Sequence, residues 1–248
     1  MFVYKKLLSV VLPAYNEGSV ITESVERLSA ELDKFSENHE IIVVNDGSTD
    51  DTKQKVLDLK KRKPEVKLIS YKNNKGKGYA IKRGLLAAKG DAVVLIDADL
   101  DIHPCQIRGY LKKMLQARKK DSSVAGAIGS KLDRRSNVDF PAKRRIMSYG
   151  YFLILKTLFR LDTMDTNTGL KVFNGSVIKD IAPILCIRGY AYDIELLSNI
   201  YKKNHRVLSL PVQCSYSREN SAERIKIKHA VTVFNETMTV FMRNHFYD

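Results

Sequence analysis

The chain has 248 residues, 44% of them apolar, and a formal net charge of +14 from 42 Lys and Arg against 28 Asp and Glu. That length buries one sizeable core, and the charge favours an anionic partner: a phosphorylated substrate, anionic lipid or nucleic acid. Three widely separated cysteines (Cys105, Cys186 and Cys214), with no CxxC pair, argue against a disulfide framework or a zinc site and for a reducing compartment. Met1 to Lys6 is too short for a secretory signal, and the apolar segment Ile146 to Leu161 is broken by Ser148, Lys156 and Arg160. The expectation is a cytoplasmic protein, soluble or peripheral at the cytoplasmic face of a membrane.

Leu7 to Leu12 reads as a buried strand that Pro13 ends. The loop Pro13-Ala14-Tyr15-Asn16-Glu17-Gly18 precedes a helix expected over Ser19 to Ser36. Tyr15 is placed to lie against a nucleobase and Glu17 near a ribose or base edge; local packing of Tyr15 and capping by Asn16 explain the same residues. A second strand, Glu40 to Asn45, runs into Asn45-Asp46-Gly47-Ser48-Thr49-Asp50-Asp51. Asp50 and Asp51 are accounted for as caps of a helix to about Arg62. Asp46 stands instead at a strand end. Val66 to Tyr71 is a third strand, followed by Asn73-Asn74-Lys75-Gly76-Lys77-Gly78 and a helix over Tyr79 to Lys89 with Gly90 as its C-cap. The glycines would let backbone amides approach phosphate, with Lys75 and Lys77 as phosphate contacts or as solvated lysines.

Ala92 to Ile96 is an apolar strand, and Asp97-Ala98-Asp99-Leu100-Asp101 emerges where it ends. Three carboxylates on alternate positions at such a place call for a cation. Oxygen-only ligands suit Mg2+ or Mn2+ bridged to a diphosphate. A turn with an N-cap is the local alternative. Strands alternating with helices before residue 102, with acidic residues at three strand ends, predict an α/β fold with a mainly parallel sheet flanked by helices.

A helix to about Lys120 and a strand Val124 to Gly129 lead into residues 131–145, which carry six basic and two acidic side chains. The stretch Ile146 to Leu155 is apolar nearly all round. Together they suit a phosphate head on a hydrocarbon tail, or an internal helix behind a basic loop. Asp165 to Phe173 combines a polar loop with a short strand. A helix follows over Asp193 to Asn204, with Asp193 as N-cap or, for a hydroxyl acceptor, general base. A last strand over Val207 to Val212 precedes a polar loop at 217–224 and an amphipathic helix to about Arg243.

In this order the motifs Pro13-Ala14-Tyr15-Asn16-Glu17, Asn45-Asp46-Gly47-Ser48-Thr49-Asp50, Asn74-Lys75-Gly76-Lys77-Gly78, Asp97-Ala98-Asp99-Leu100-Asp101 with Pro104, Asp165-Thr166-Asn167-Thr168-Gly169-Leu170-Lys171 and Tyr192-Asp193-Ile194-Glu195 resemble the inverting family-2 glycosyltransferases of GT-A fold. Among these the likeness is to dolichyl- or polyprenyl-phosphate mannosyl- or glucosyltransferases. The resemblance implies a single GT-A domain over 1–217, with a nucleotide-sugar half (1–102) and an acceptor half (103–217), and a mobile loop and helix over 218–248. It implies nucleotide contacts from Pro13, Tyr15, Glu17, Asp46, Lys75, Asp97, Ala98 and Asp99, and metal or diphosphate contacts from Asp97, Asp99 and Asp101. It assigns the lipid phosphate to Lys131, Arg144 and Ser148, and a loop closing over the donor to Arg218, Ser221 and Arg224. Asp101 departs from the Asn, Ser or Gln such enzymes often carry there.

The donor expected is GDP-mannose or UDP-glucose and the acceptor a polyprenyl phosphate, reached at a membrane surface or through a membrane partner. An anionic acceptor attacks without deprotonation, which suits a chain with 42 Lys and Arg and only five His. The rival readings are a glycosyltransferase acting on a sugar hydroxyl, a basic nucleic-acid-binding protein and a catalytically inactive nucleotide-binding protein. Nucleic acid is not the expected partner, because acidic strand ends repel a phosphate chain.

Overall fold

The computed structural model describes residues 2–137, 157–159, 168–214 and 227–246. Strands β1 (Tyr4–Ala14), β2 (Ser36–Asn45), β3 (Val66–Ser70) and β4 (Ala92–Leu95) are joined by helices α1 (Ile21–Asp33), α2 (Thr52–Arg62) and α3 (Lys77–Ala87). Beyond them come α4 (Gln106–Lys120), β5 (Val124–Ser130), β6 (Lys171–Asn174), α5 (Gly175–Ile181), α6 (Tyr192–Lys202), β7 (Arg206–Pro211) and α7 (Ile227–Phe246). The sheet order is β3-β2-β1-β4-β6-β5-β7. All neighbours are parallel except β6, which runs antiparallel to both β4 and β5. The expected α/β class with a mainly parallel sheet holds.

Alternation along the strands divides the core. Leu8, Val10 and Leu12 of β1 point to the face covered by α1, α2 and α4, with Leu28, Val56 and Leu111 among the residues they join. Val11, Ile42 and Val44 point to the other face, with Leu85 of α3, Ile178 of α5, Ile200 of α6 and Val240 of α7.

Three boundaries differ from expectation. Pro13 does not end β1. The Val11 carbonyl accepts the Ile96 amide at 3.2 Å, so Val11 and, two residues on, Pro13 turn their backbone edge toward β4. Pairing with β4 stops at Val11 opposite Leu95, while pairing with β2 continues to Ala14 opposite Asn45. The missing N–H of Pro13 therefore interrupts no ladder. The first helix ends at Asp33, short of the expected Ser36, and β2 starts at Ser36, ahead of the expected Glu40, with Tyr4 opposite Ser36. Gly90 is not the cap of α3, which ends at Ala87; its amide donates to the Ser9 hydroxyl at 2.7 Å.

Candidate active site

The carboxyl ends of β1, β2 and β4 lie on one edge of the sheet, which is where ligands bind in open α/β sheets. The loop after β1 is stitched to the one after β2. Asn16 accepts the Thr49 amide at 2.9 Å, and the Glu17 amide donates to the Thr52 hydroxyl at 2.9 Å. The Gly18 and Thr52 amides donate to Asp50 at 2.9 and 3.0 Å. Asn16 and Asp50 thus have local duties, whereas Tyr15 stands 47% exposed and Pro13 and Glu17 are half-buried.

Asp46, only 3% exposed, spends its carboxylate on the chain itself. The Lys75 and Gly76 amides donate to its two oxygens at 2.8 and 3.0 Å. Gly76 sits at φ 97°, where a Cβ would meet the Arg188 carbonyl oxygen at 2.4 Å, so only glycine takes this turn. The expected phosphate cradle at the start of α3 is not there. The Gly78 amide donates to the Arg188 and Gly189 carbonyls at 2.7 and 3.1 Å, and the Tyr79 amide to Arg188 at 3.2 Å. Protein carbonyls meet the donors that the sequence offered to a phosphate. Lys75 is exposed, its ammonium 4.8 Å from the centre of the Tyr79 ring and 5.7 Å from that of Tyr71.

Asp97, Asp99, Asp101 and Lys131 line one pocket with Ile96, Ile102, Gly169 and Cys214. A bridge between Ile102 and Cys214 closes one side of it. Leu100, at φ 50°, turns the chain between the second and third carboxylates. Gly169 touches Asp97 so nearly that a Cβ there would lie 2.7 Å from Oδ2. The Lys77 ammonium meets Asp97 Oδ1 at 2.7 Å. Burial pushes the Asp97 carboxyl up, but Lys77, helped by Lys171 and Lys131, outweighs it and holds the group below its ordinary value. Ala98 is 3% exposed and belongs to the core, so any ligand contact there is through its backbone.

Behind the pocket lies an ion pair that sequence reasoning missed. Lys171 of β6 and Asp193 of α6, with side chains 1% and 7% exposed, approach to 2.7 Å. Lys171 also donates to the Thr168 carbonyl at 2.6 Å and lies 5.8 Å from the centre of the Tyr192 ring. Burial raises the Asp193 carboxyl above its ordinary value, with Lys171 and Lys77 opposing. Asp193 is at the start of α6, as expected, but Lys171 already holds it. The signal was available: a lysine heading the strand Lys171-Val172-Phe173 needs a buried anion. Glu195 on the same helix is another deeply buried carboxylate, paired with Arg243 at 2.6 Å. Arg144, Ser148, Arg218, Ser221 and Arg224 lie outside the described residues, so only Lys131 of the expected phosphate contacts is placed.

The three aspartates of the pocket offer carboxylate oxygens, which suit a hard divalent cation; the Lys131 ammonium and the Cys214 thiol complete its polar lining. Among the described residues no three His, Cys, Asp or Glu side chains form a ready-made cage. The expected set of Asp97, Asp99 and Asp101 is therefore not gathered around one point; a cation here would take one or two of these carboxylates, with phosphate oxygens of a substrate completing the shell.

The profile of "Glycosyl transferase family 2" matches residues 9–181, which run from the middle of β1 through β6 and hold the carboxylate pocket except Cys214. The chain belongs to this family. It is 29% identical over 216 residues to a dolichyl-phosphate beta-glucosyltransferase of Dictyostelium discoideum, covering 83% of this chain and 65% of that one. It is 28% identical over 201 residues to the Homo sapiens enzyme of the same name, covering 77% and 62%. The chain thus spans somewhat under two thirds of the length of these relatives. The glucosyl-3-phosphoglycerate synthase of Mycobacterium tuberculosis, solved with Mn2+, UDP-glucose and glycerol 3-phosphate, superposes with a TM-score of 0.68. That likeness, at 18% identity over 96% of this chain and 79% of the other, shows the GT-A fold.

Proposed function

We propose that this family-2 glycosyltransferase moves glucose from a nucleotide-sugar to a polyprenyl phosphate such as dolichyl phosphate, with inversion at the anomeric carbon. The observation that carries the acceptor assignment is the Lys171–Asp193 pair. A sugar hydroxyl needs a general base, and the buried carboxylate best placed to serve is held by an ammonium at 2.7 Å. A phosphate oxygen is already anionic and asks only for alignment and charge compensation. The names of the curated relatives support both glucose and the lipid phosphate. The fit of the carboxylate pocket to a hard cation supports metal use.

In this reading Tyr15, Pro13 and Glu17 border the nucleotide, and Asp46 shapes the 75–77 turn beside it. Asp99, with Asp97 or Asp101 beside it, would hold Mg2+ or Mn2+, which would supply charge neutralisation of the leaving diphosphate. Lys77 keeps Asp97 ionised, and Lys131 offers a cation where the acceptor phosphate would approach. The two anions are drawn together against a net charge of +14. No helix among the described residues is long and apolar enough to cross a membrane. In this reading the acceptor is met at the cytoplasmic face of a membrane, at its surface or through a partner.

The test is a screen of UDP-glucose and GDP-mannose with Mg2+ or Mn2+ and a short polyprenyl phosphate, products resolved by mass and the anomer by NMR. Glucosyl phosphopolyprenol of inverted configuration is expected. Transfer confined to sugar hydroxyls would overturn the acceptor assignment.

A further inference from the structure

The segment between α5 and α6 touches the C-terminal helix on one side and the carboxylate site on the other. Glu195, its side chain 1% exposed, accepts the Cys186 amide at 2.9 and 3.0 Å and the Ile187 amide at 2.8 Å. Arg243 of α7 pairs with that carboxylate at 2.6 Å and donates to the Ile184 carbonyl at 3.3 Å. Two turns earlier on α7, Glu236 accepts the Ala191 amide at 3.1 Å. It packs so closely on Gly189 that a Cβ there would fall 2.1 Å from Oε1. On its far side the segment gives the Arg188 and Gly189 carbonyls to the Gly78 and Tyr79 amides at the start of α3.

No side chain caps α3: its N-cap is Gly76, without a side-chain bond. The first amides of a helix need acceptors from outside it, and whatever supplies them fixes where the helix begins. The residue just ahead of Gly78 is Lys77, whose ammonium meets Asp97. α7 also lies outside residues 9–181, the span the family profile covers.

We propose that Arg243 and Glu236 are positioning residues for the nucleotide end of the site. They lock the 184–191 segment, the segment seats α3, and the seat sets Lys77 against Asp97. This rests on the reading of the pocket as a nucleotide-sugar site. Neither residue touches the ligand. Loosening either one weakens donor binding and leaves the transfer step itself nearly unchanged.

The experiment compares Glu236→Ala, Glu236→Gln, Arg243→Ala and Arg243→Lys in the full chain. It measures amide exchange by NMR, UDP and GDP titration with Mn2+, and donor KM and kcat. In Glu236→Ala and Arg243→Ala the Gly78 and Tyr79 amides should exchange at least about tenfold faster, while β1 and β2 amides such as Val11 keep their protection. Nucleotide affinity should fall about tenfold, with kcat held within about twofold. Glu236→Gln keeps an acceptor oxygen and Arg243→Lys keeps a cation, so both should restore most of the affinity. Unchanged exchange at Gly78 and Tyr79, a uniform rise through the whole domain, or loss of kcat with KM intact would each overturn the proposal. Should the unaltered protein bind neither UDP nor GDP, the nucleotide-sugar reading fails, and the exchange pattern still decides whether α7 seats α3.

Discussion

Replacing Lys171 by methionine keeps the buried stem and removes the ammonium that faces Asp193. Both side chains are almost wholly enclosed, at 1% and 7% exposure, so solvent does not screen the loss as it would on the surface. Asp193 can then respond in two ways. Staying ionised without its partner costs about 3–5 kcal/mol. Taking up a proton at pH 7 costs about 4.4 kcal/mol, given an ordinary value of 3.8 and about 1.4 kcal/mol per pH unit. The chain follows the cheaper course, and Lys77 nearby eases the first by favouring the ionised carboxylate, so urea titration should show a loss of about 3 kcal/mol at pH 7. The pH dependence has a definite sign. Burial already raises Asp193, so its protonated form favours the fold below the ordinary value, and that contribution is lost as pH climbs through the folded-state value. Without Lys171 the folded-state value rises further. The deficit should therefore be small near pH 4 and widen toward neutrality. Removing both charges, as Lys171→Met with Asp193→Leu, should recover most of the loss. A single variant within about 1 kcal/mol of the parent at pH 7, or a deficit flat with pH, would refute the argument.

Asp99→Ala should lower glucosyl transfer at least about hundredfold while leaving the thermal midpoint unchanged, read by product mass and a melting curve. Lys77→Met removes the cation that holds Asp97 below its ordinary value, so the carboxyl should rise. A lowered carboxyl contributes above its ordinary value and is lost as pH falls through the folded-state value; in the variant that window moves up. The acid limb of metal–nucleotide binding should accordingly shift to higher pH in a titration series. Gly169→Ala puts a Cβ within 2.7 Å of Asp97 Oδ2 and should cost about 1–3 kcal/mol in a denaturant titration, together with donor affinity. Donor binding equal to the parent's would show that Asp97 does not face the ligand.

The sequence made the parallel part of the sheet readable because β1, β2 and β4 are continuous apolar runs. It understated β1 and β2 because Tyr4 pairs with Ser36 across an irregularity in the ladder, ahead of the continuous apolar runs. The aspartates of 97–101 were legible because charge directly after a core strand has few explanations. Lys171 was overlooked inside a motif of polar residues. The start of α3 was misread for a different reason. Its glycines resemble a phosphate-binding turn, but the acceptors come from Arg188 and Gly189, which no local pattern connects to residues 76–79. Likewise Asp46 stands at a strand end as expected, yet its carboxylate closes the 75–76 turn.

The antiparallel strand β6 has a consequence for synthesis. It fills the place between β4 and β5, pairing Ala92 to Leu95 with Asn174 to Lys171. A nascent chain that has emerged only as far as α4 therefore exposes β4 as a raw, apolar margin with nothing beside it. Vectorial folding of the first half must wait for Lys171–Asn174 to leave the ribosome. Until then that margin is where chaperones would be expected to bind.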